Sequence, residues 1–280
     1  MENKVYPTIK NAISLCLLFL GINTGLSILI LLLPDISLPS GIVTGLYSII
    51  SFGVVLLIGF KKAKRNFNEV FKFNNVSPFL WGAMIIFSIG LVIVMSELDN
   101  ILNYFLPMPD FFRVIFDELM SGHMLIISLI TIGIIPAFTE ELLFRGLLLD
   151  GLCKNYSERK AIIVTALLFG IIHLNPWQFL TAFIIGLVTA YICIKTKSIL
   201  LCIYLHLFNN VIYVVALRYN EIILIRGFNT NFVIPVEFQP LWFTLAGVVI
   251  TTAGATMLLK GIKALHNHTD TIPEMEGNYP

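Results

Sequence analysis

Charge is scarce in this chain. Only 12% of its 280 residues are Asp, Glu, Lys or Arg, against roughly a quarter in a soluble domain, while 57% are hydrophobic. That balance excludes an ordinary soluble enzyme and predicts an integral membrane protein. The 18 basic and 17 acidic residues leave a formal net charge of +1. They form no basic stripe of the kind that holds nucleic acid, so no nucleic-acid partner is expected. Cysteine is also sparse. Cys16, Cys153, Cys193 and Cys202 lie in or beside apolar runs without a CxxC pair, which excludes a disulfide framework and predicts reduced packing residues. The first apolar run, Ala12 to Leu33, is longer than the about 7–15 residues of a signal-peptide core and lacks a small-residue cleavage site, so it is expected to stay as a span.

Long apolar runs are what the chain has instead. A bilayer crossing takes roughly 20 apolar residues, and eight runs qualify: 12–33, 41–60, 79–98, 123–150, 160–175, 177–195, 198–217 and 241–262. The fold class expected is all-α, a polytopic membrane protein of about eight transmembrane helices with both termini cytoplasmic. Residues 1–265 form one transmembrane domain in this reading, with a core at about 120–217 and a polar, disordered tail at 266–280. The alternation puts Lys4, Lys10, the Lys61 to Arg65 cluster, Lys72, Lys154, Arg159, Lys160, Lys195, Lys197, Lys260 and Lys263 on one side. Arg113, Arg218 and Arg226 fall on the other, as the positive-inside rule requires.

Two connections are longer. Asn66 to Ser77 spaces Phe67, Val70, Phe71 and Phe73 among polar residues and predicts an interfacial helix. Asp99 to Ser121 is expected along the outer surface, with Asp99, Asp110, Asp117 and Glu118 solvated. Gly21, Gly25, Gly41, Gly45 and Gly186 are expected to let helices approach closely. Trp81, Trp177 and Trp242, near span ends, are expected to anchor the interfaces. His266 and His268 form an H-x-H in the tail, a weak metal signal.

Against this apolar background, the stretch from Pro136 to Gly146 reads P-A-F-T-E-E-L-L-F-R-G. Ionisable groups inside a span are costly and mark functional sites by default. Glu141 and Arg145, at i,i+4, can meet on one helix face. Glu140 points about 100° away. A second acid gains nothing from the same arginine, and it suits general acid and base work. Pro136 removes a backbone donor and can kink the helix before the acids. The fifth run offers Phe169 and His173 at i,i+4, and the seventh His206 and Asn210. Counted at about 1.5 Å per residue from the lysine-rich side, Glu140 lies roughly 15 Å deep, His173 20 Å, His206 12 Å and Asn210 18 Å. A lone intramembrane His or Asn also serves as interhelical hydrogen-bonding glue, and a Glu–Arg pair as pure structure. Four groups at one level on three helices favour a shared cavity.

E-E-x-x-x-R at Glu140, Glu141 and Arg145, F-x-x-x-H at Phe169 and His173, and H-x-x-x-N at His206 and Asn210 resemble the signature motifs of the CPBP family. That family unites the CAAX prenyl endopeptidase of the endoplasmic reticulum with bacterial bacteriocin-immunity and bacteriocin-processing proteins. The resemblance covers about residues 120–217, and the remaining spans match only as generic membrane helices. It implies a glutamate-dependent intramembrane endopeptidase acting on a membrane-associated peptide or protein. Glu140 and His173 would activate a water, His206 and Asn210 would donate to the oxyanion, and Glu141, Arg145 and Phe169 would support them. No cofactor is implied. A zinc-dependent variant would use Glu140, His173 and His206 as ligands. From other classes, a non-proteolytic scaffold or bacteriocin self-immunity protein, or a proton-coupled transporter, could use the same cavity. The Ile-, Asn- and Lys-rich character favours a bacterial plasma membrane.

Overall fold

The computed structural model describes residues 4–32, 40–114, 124–219, 222, 225–228 and 235–270. Its helices are α1 (Ile9–Leu31), α2 (Ser40–Ala63), the single turn α3 (Phe67–Val70), α4 (Pro78–Phe105), α5 (Leu125–Asn155), α6 (Glu158–Ile171), α7 (Pro176–Thr196), α8 (Leu200–Arg218) and α9 (Leu241–Asp270). Local chemistry sets their starts. Thr8 and Asn11 form a capping box on α1, Ser77 caps α4 ahead of Pro78, Ser157 caps α6, and Asn175 caps α7 ahead of Pro176. Among the described residues there is no strand, only an isolated bridge between Phe73 and Ser198.

Seven of these helices are long and apolar enough to cross a membrane: α1, α2, α4, α5, α7, α8 and α9. The protein is a multi-pass, all-α membrane protein. The fifth expected crossing, 160–175, is the 14-residue α6, about 21 Å long against roughly 30 Å of hydrocarbon. It is cut short because Asn175 already serves the next helix, accepting from the Trp177 N–H at 3.0 Å. The chain nevertheless changes ends along α6. Glu158 at its start meets Lys195 at the end of α7 at 2.6 Å. Beyond its other end, the Trp177 indole donates to the Leu106 carbonyl at 2.7 Å.

The lysine-rich end is closed by polar ties. The Val5 N–H donates to Asn155 Oδ1 at 3.0 Å, the Asn155 amide returns to the Val5 carbonyl at 2.6 Å, and the Ile199 N–H donates to the Lys72 carbonyl at 2.9 Å. Buried Asp150 collects Arg65, Lys72 (2.7 Å) and Lys154 (3.7 Å). These ties explain why 66–77 is not the interfacial helix its pattern predicts. Only Phe67–Val70 is helical, Lys72 is drawn to Asp150, and Phe71 is buried. A Cβ on Gly146 would lie 2.5 Å from the Phe71 ring.

At the opposite end, Asp99 belongs to α4 and is half-buried, accepting from the Thr181 hydroxyl at 2.5 Å, so the expectation that it is merely solvated fails. Asp110 is exposed and pairs with Arg113 at 2.7 Å, while Asp117 and Glu118 lie outside the described residues. Gly45 and Gly186 do allow close approach, to Thr131 and Ala166, whereas Gly21 and Gly25 face open space. All four cysteines are free. Trp177 and Trp242 sit near helix starts as expected, and Trp81 packs edge-on against Tyr204. Helix α9 runs on through Asp270, past the expected start of the tail, and 271–280 lie outside the described residues. His266 is exposed and bonds the Ile262 carbonyl through Nδ1 at 2.8 Å.

Two apolar clusters fill the interior. One joins α4, α7, α8 and α9, the other α1, α2, α3 and α7, and α5 and α6 contribute to both. That position buries the acids of α5 on every side.

Candidate active site

Helix α5 is not uniform. Leu129–Ile134 and Leu142–Leu148 are π-helical, and the α-helical segment between them, Ile135–Glu141, carries both glutamates. Such insertions are rare and concentrate at functional sites. Pro136, at the start of the central segment, has no N–H to offer the Ile132 carbonyl four residues back. Asn210 Nδ2 donates to that carbonyl at 3.0 Å. The proline therefore frees an acceptor that α8 uses to hold α5.

The two acids have different partners. Glu141 is fully buried, and its Oε1 lies 2.9 Å from Arg145 Nη1 and 2.9 Å from His206 Nδ1. A carboxylate accepts, so His206 donates from Nδ1, and Nε2 is turned to Glu140 Oε2 at 3.9 Å. Glu140 is also buried, and its Oε2, like Glu141 Oε2, accepts no hydrogen bond from any described residue, but unlike Glu141 it has no arginine beside it. Buried polar atoms are nearly always paired, so an orphan acceptor calls for an explanation.

Arginine 145 is 3% exposed and covers an aromatic ring rather than entering a fork of hydrogen bonds. Its Cζ lies 4.3 Å from the Phe169 centroid and 5.9 Å from that of Phe144. The 2.9 Å contact with Glu141 is an ion contact without hydrogen-bond alignment. Phe169 is the hub of the aromatic packing. It lies edge-to-face with Phe144 (5.1 Å), His173 (5.2 Å) and His206 (5.6 Å).

His173 sits in the turn that ends α6, half-buried, with Nδ1 2.7 Å from the Phe169 carbonyl. A carbonyl only accepts, so Nδ1 carries the proton and the Nε2 lone pair is left available. The next residue, Leu174, takes a left-handed φ of +49° and is exposed. A bulky residue with positive φ is a true outlier, and such strain gathers at functional sites.

The expected residues thus converge in part. Glu140, Glu141, Arg145 and Phe169 are linked through His206 and one another in a chain of contacts, His173 joins them through Phe169, and Asn210 reaches α5 two turns away at Ile132. Glu141 does more than the expected helix pairing, because it also orients His206. Among the described residues, no three His, Cys, Asp or Glu side chains form a group that could hold a metal ion. Sequence reasoning missed the Asn210 link, although an intramembrane proline is a signal for a freed carbonyl. It also missed the Asp150 cluster, nine residues beyond Glu141 on the same helix.

Residues 122–212 match the model of the type II CAAX prenyl endopeptidase Rce1-like family. This segment is Rce1-like. The Rce1-like segment holds Glu140, Glu141, Arg145, Phe169, His173, His206 and Asn210, and leaves α1 to α4 and α9 outside. The match likens this membrane-embedded segment to the CAAX prenyl endopeptidases and covers about a third of the chain. The chain is also similar to an uncharacterized 24.3 kDa protein of Escherichia coli, 30% identical over 135 residues, which are 46% of this chain and 59% of that protein. No solved structure matches the chain. Neither match carries bacteriocin immunity.

Proposed function

We propose that the protein is a glutamate-dependent intramembrane endopeptidase cleaving a membrane-associated peptide or protein. One observation carries the reading: a buried carboxylate oxygen, Glu140 Oε2, without a donor among the described residues, beside an imidazole whose other nitrogen is held by Glu141. In the proposed cycle, a water donates one hydrogen to Glu140 and the other to His173 Nε2. The water oxygen adds to the scissile carbonyl carbon as its proton passes to Glu140. The carbonyl π electrons move onto oxygen, giving a tetrahedral oxyanion. Asn210 has a second amide hydrogen beyond the one given to Ile132, and it donates to that oxyanion. His206 donates from Nε2 when it carries the proton relayed from Glu140. Loss of one such donor typically costs about 10²–10³ in rate. Collapse breaks the C–N bond, and Glu140 or His206 returns the proton to the leaving amine. Water is consumed, and the products are an amine and a carboxylic acid, whose remaining proton leaves through His173 Nε2 to give the carboxylate.

The test is cleavage of a fluorogenic peptide library by protein reconstituted in liposomes. Glu140→Gln and His206→Ala should each lower turnover at least 10²-fold while the fold survives, and wild-type activity should persist with a chelator. Undiminished cleavage by Glu140→Gln sinks the assignment. Loss on chelation, restored by zinc, transfers the chemistry to a metal. No cleavage by wild type, with selective capture of a library member, moves the protein to a binding role.

A further inference from the structure

Apart from the candidate active site, the protein carries a groove of about 300 Å³ where α4, α7 and α9 meet. Its floor is Phe87, Ile192 and Leu258, all buried, with Ala255 half-buried beside them. Its rims are Tyr191 and Leu259, both exposed. None of the lining residues belongs to the Glu140–His206 constellation, so the groove is not the substrate cleft. It lies within the apolar stretches of three membrane-crossing helices, where an apolar groove is open to the lipid phase.

What lies at one end of this groove identifies the occupant. On α7, Lys195 follows Tyr191 by four residues, and on α9, Lys263 follows Leu259 by four. Each is about 6 Å further toward the lysine-rich end on the same helix face. Lys263 is exposed, and Lys197 and Lys260 add exposed positive charge nearby. Among the described residues, Glu158 holds Lys195 at 2.6 Å, and no ion pair to Lys263 is found. An apolar groove with an exposed cation, Lys263, one turn beyond its α9 rim fits an amphiphile with a negative head. Basic residues at the membrane surface select anionic over zwitterionic lipid.

We infer that this groove is a binding site for an anionic phospholipid, one acyl chain lying between α7 and α9 and the headgroup phosphate at Lys263. The inference does not depend on the proteolytic reading.

The experiment uses the full chain in nanodiscs with a photoactivatable diazirine on the acyl chain of either phosphatidylglycerol or phosphatidylcholine, the labelled peptides being mapped by mass spectrometry. The phosphatidylglycerol probe should label 187–192 and 255–262 several-fold more than the exposed face of α1 at Leu17 and Ile28, and several-fold more than the phosphatidylcholine probe does. Lys263→Gln should erase the headgroup preference, and Ala255→Phe, which fills the groove, should erase the local labelling. The comparison of the two probes on wild type stands even where a variant fails to fold. Labelling no stronger than on α1, equal labelling by the two probes, or crosslinks from the groove to a second copy would each overturn the proposal.

Discussion

His206 and Glu141 meet at 2.9 Å through Nδ1 and Oε1, and the same carboxylate oxygen also takes Arg145 at 2.9 Å. The acid that the sequence pairs only with arginine therefore fixes a histidine from another helix as well. A stability cycle tests this contact. Glu141→Gln and His206→Gln should each destabilise the protein, and the double variant should cost less than the sum by about 0.5–3 kcal/mol, the range for residues in direct contact. Denaturant unfolding in mild detergent gives the four values, and a coupling of zero would remove Glu141 from the orientation of His206.

Asn210 is bound to the consequence of a proline. Asn210→Ala deletes a helix-to-helix bond worth about 0.6–2 kcal/mol in a membrane and leaves the Ile132 carbonyl unpaired. Adding Pro136→Ala restores an N–H four residues along, so the double variant should regain most of the lost stability. Its turnover should stay as low as that of Asn210→Ala, since the oxyanion donor is still missing. Recovery of stability and turnover together would make Asn210 a purely structural tie.

Much of this site is legible in the sequence, and the part that is not has a definite cause. The E-E-x-x-x-R spacing puts Arg145 on Glu141 because i,i+4 neighbours touch. The order of the helices follows from apolar run length alone. Which acid His206 would choose does not follow, because two π-helical segments flank Glu140 and Glu141, and counting 100° per residue loses the facing of α5 across them. The shortness of α6 was open to reading, since Asn175-Pro176 is a helix start that ends the previous run. The failure of the 66–77 helix was not, because it depends on Asp150, about eighty residues away, drawing in Arg65 and Lys72.

Arg145 should tolerate no neutral replacement. Glu141 is completely buried, and removing one partner of a buried ion pair costs about 3–5 kcal/mol. Arg145→Met should therefore reduce the yield of folded protein sharply. Arg145→Lys keeps the charge but loses the flat guanidinium lying 4.3 Å from the Phe169 centroid. It should fold with a melting temperature between those of wild type and Arg145→Met. A lysine variant as stable as wild type would show that charge alone matters and that stacking on Phe169 contributes nothing measurable.

Asp150 gathers three cations at the lysine-rich end, and their exposure decides what its loss does. Arg65 is 12% exposed at its side chain, against 36% for Lys72 and 41% for Lys154. The lysines regain water when released, whereas Arg65 has few routes to it without movement of the chain. Asp150→Asn should therefore loosen the connection around Arg65 to Lys72 locally, leaving the α5–α8 packing intact. Limited trypsin digestion reads this out, because Lys61, Lys62, Lys64, Arg65 and Lys72 all lie at this latch. Cleavage there should accelerate about tenfold, equivalent to about 1.4 kcal/mol of local opening, with the melting temperature shifting by only a few degrees. In sealed vesicles the cuts should occur from one side only, the side that also exposes Lys263. Unchanged cleavage would mean that the tie of Ile199 to the Lys72 carbonyl, not the ion cluster, holds this segment down.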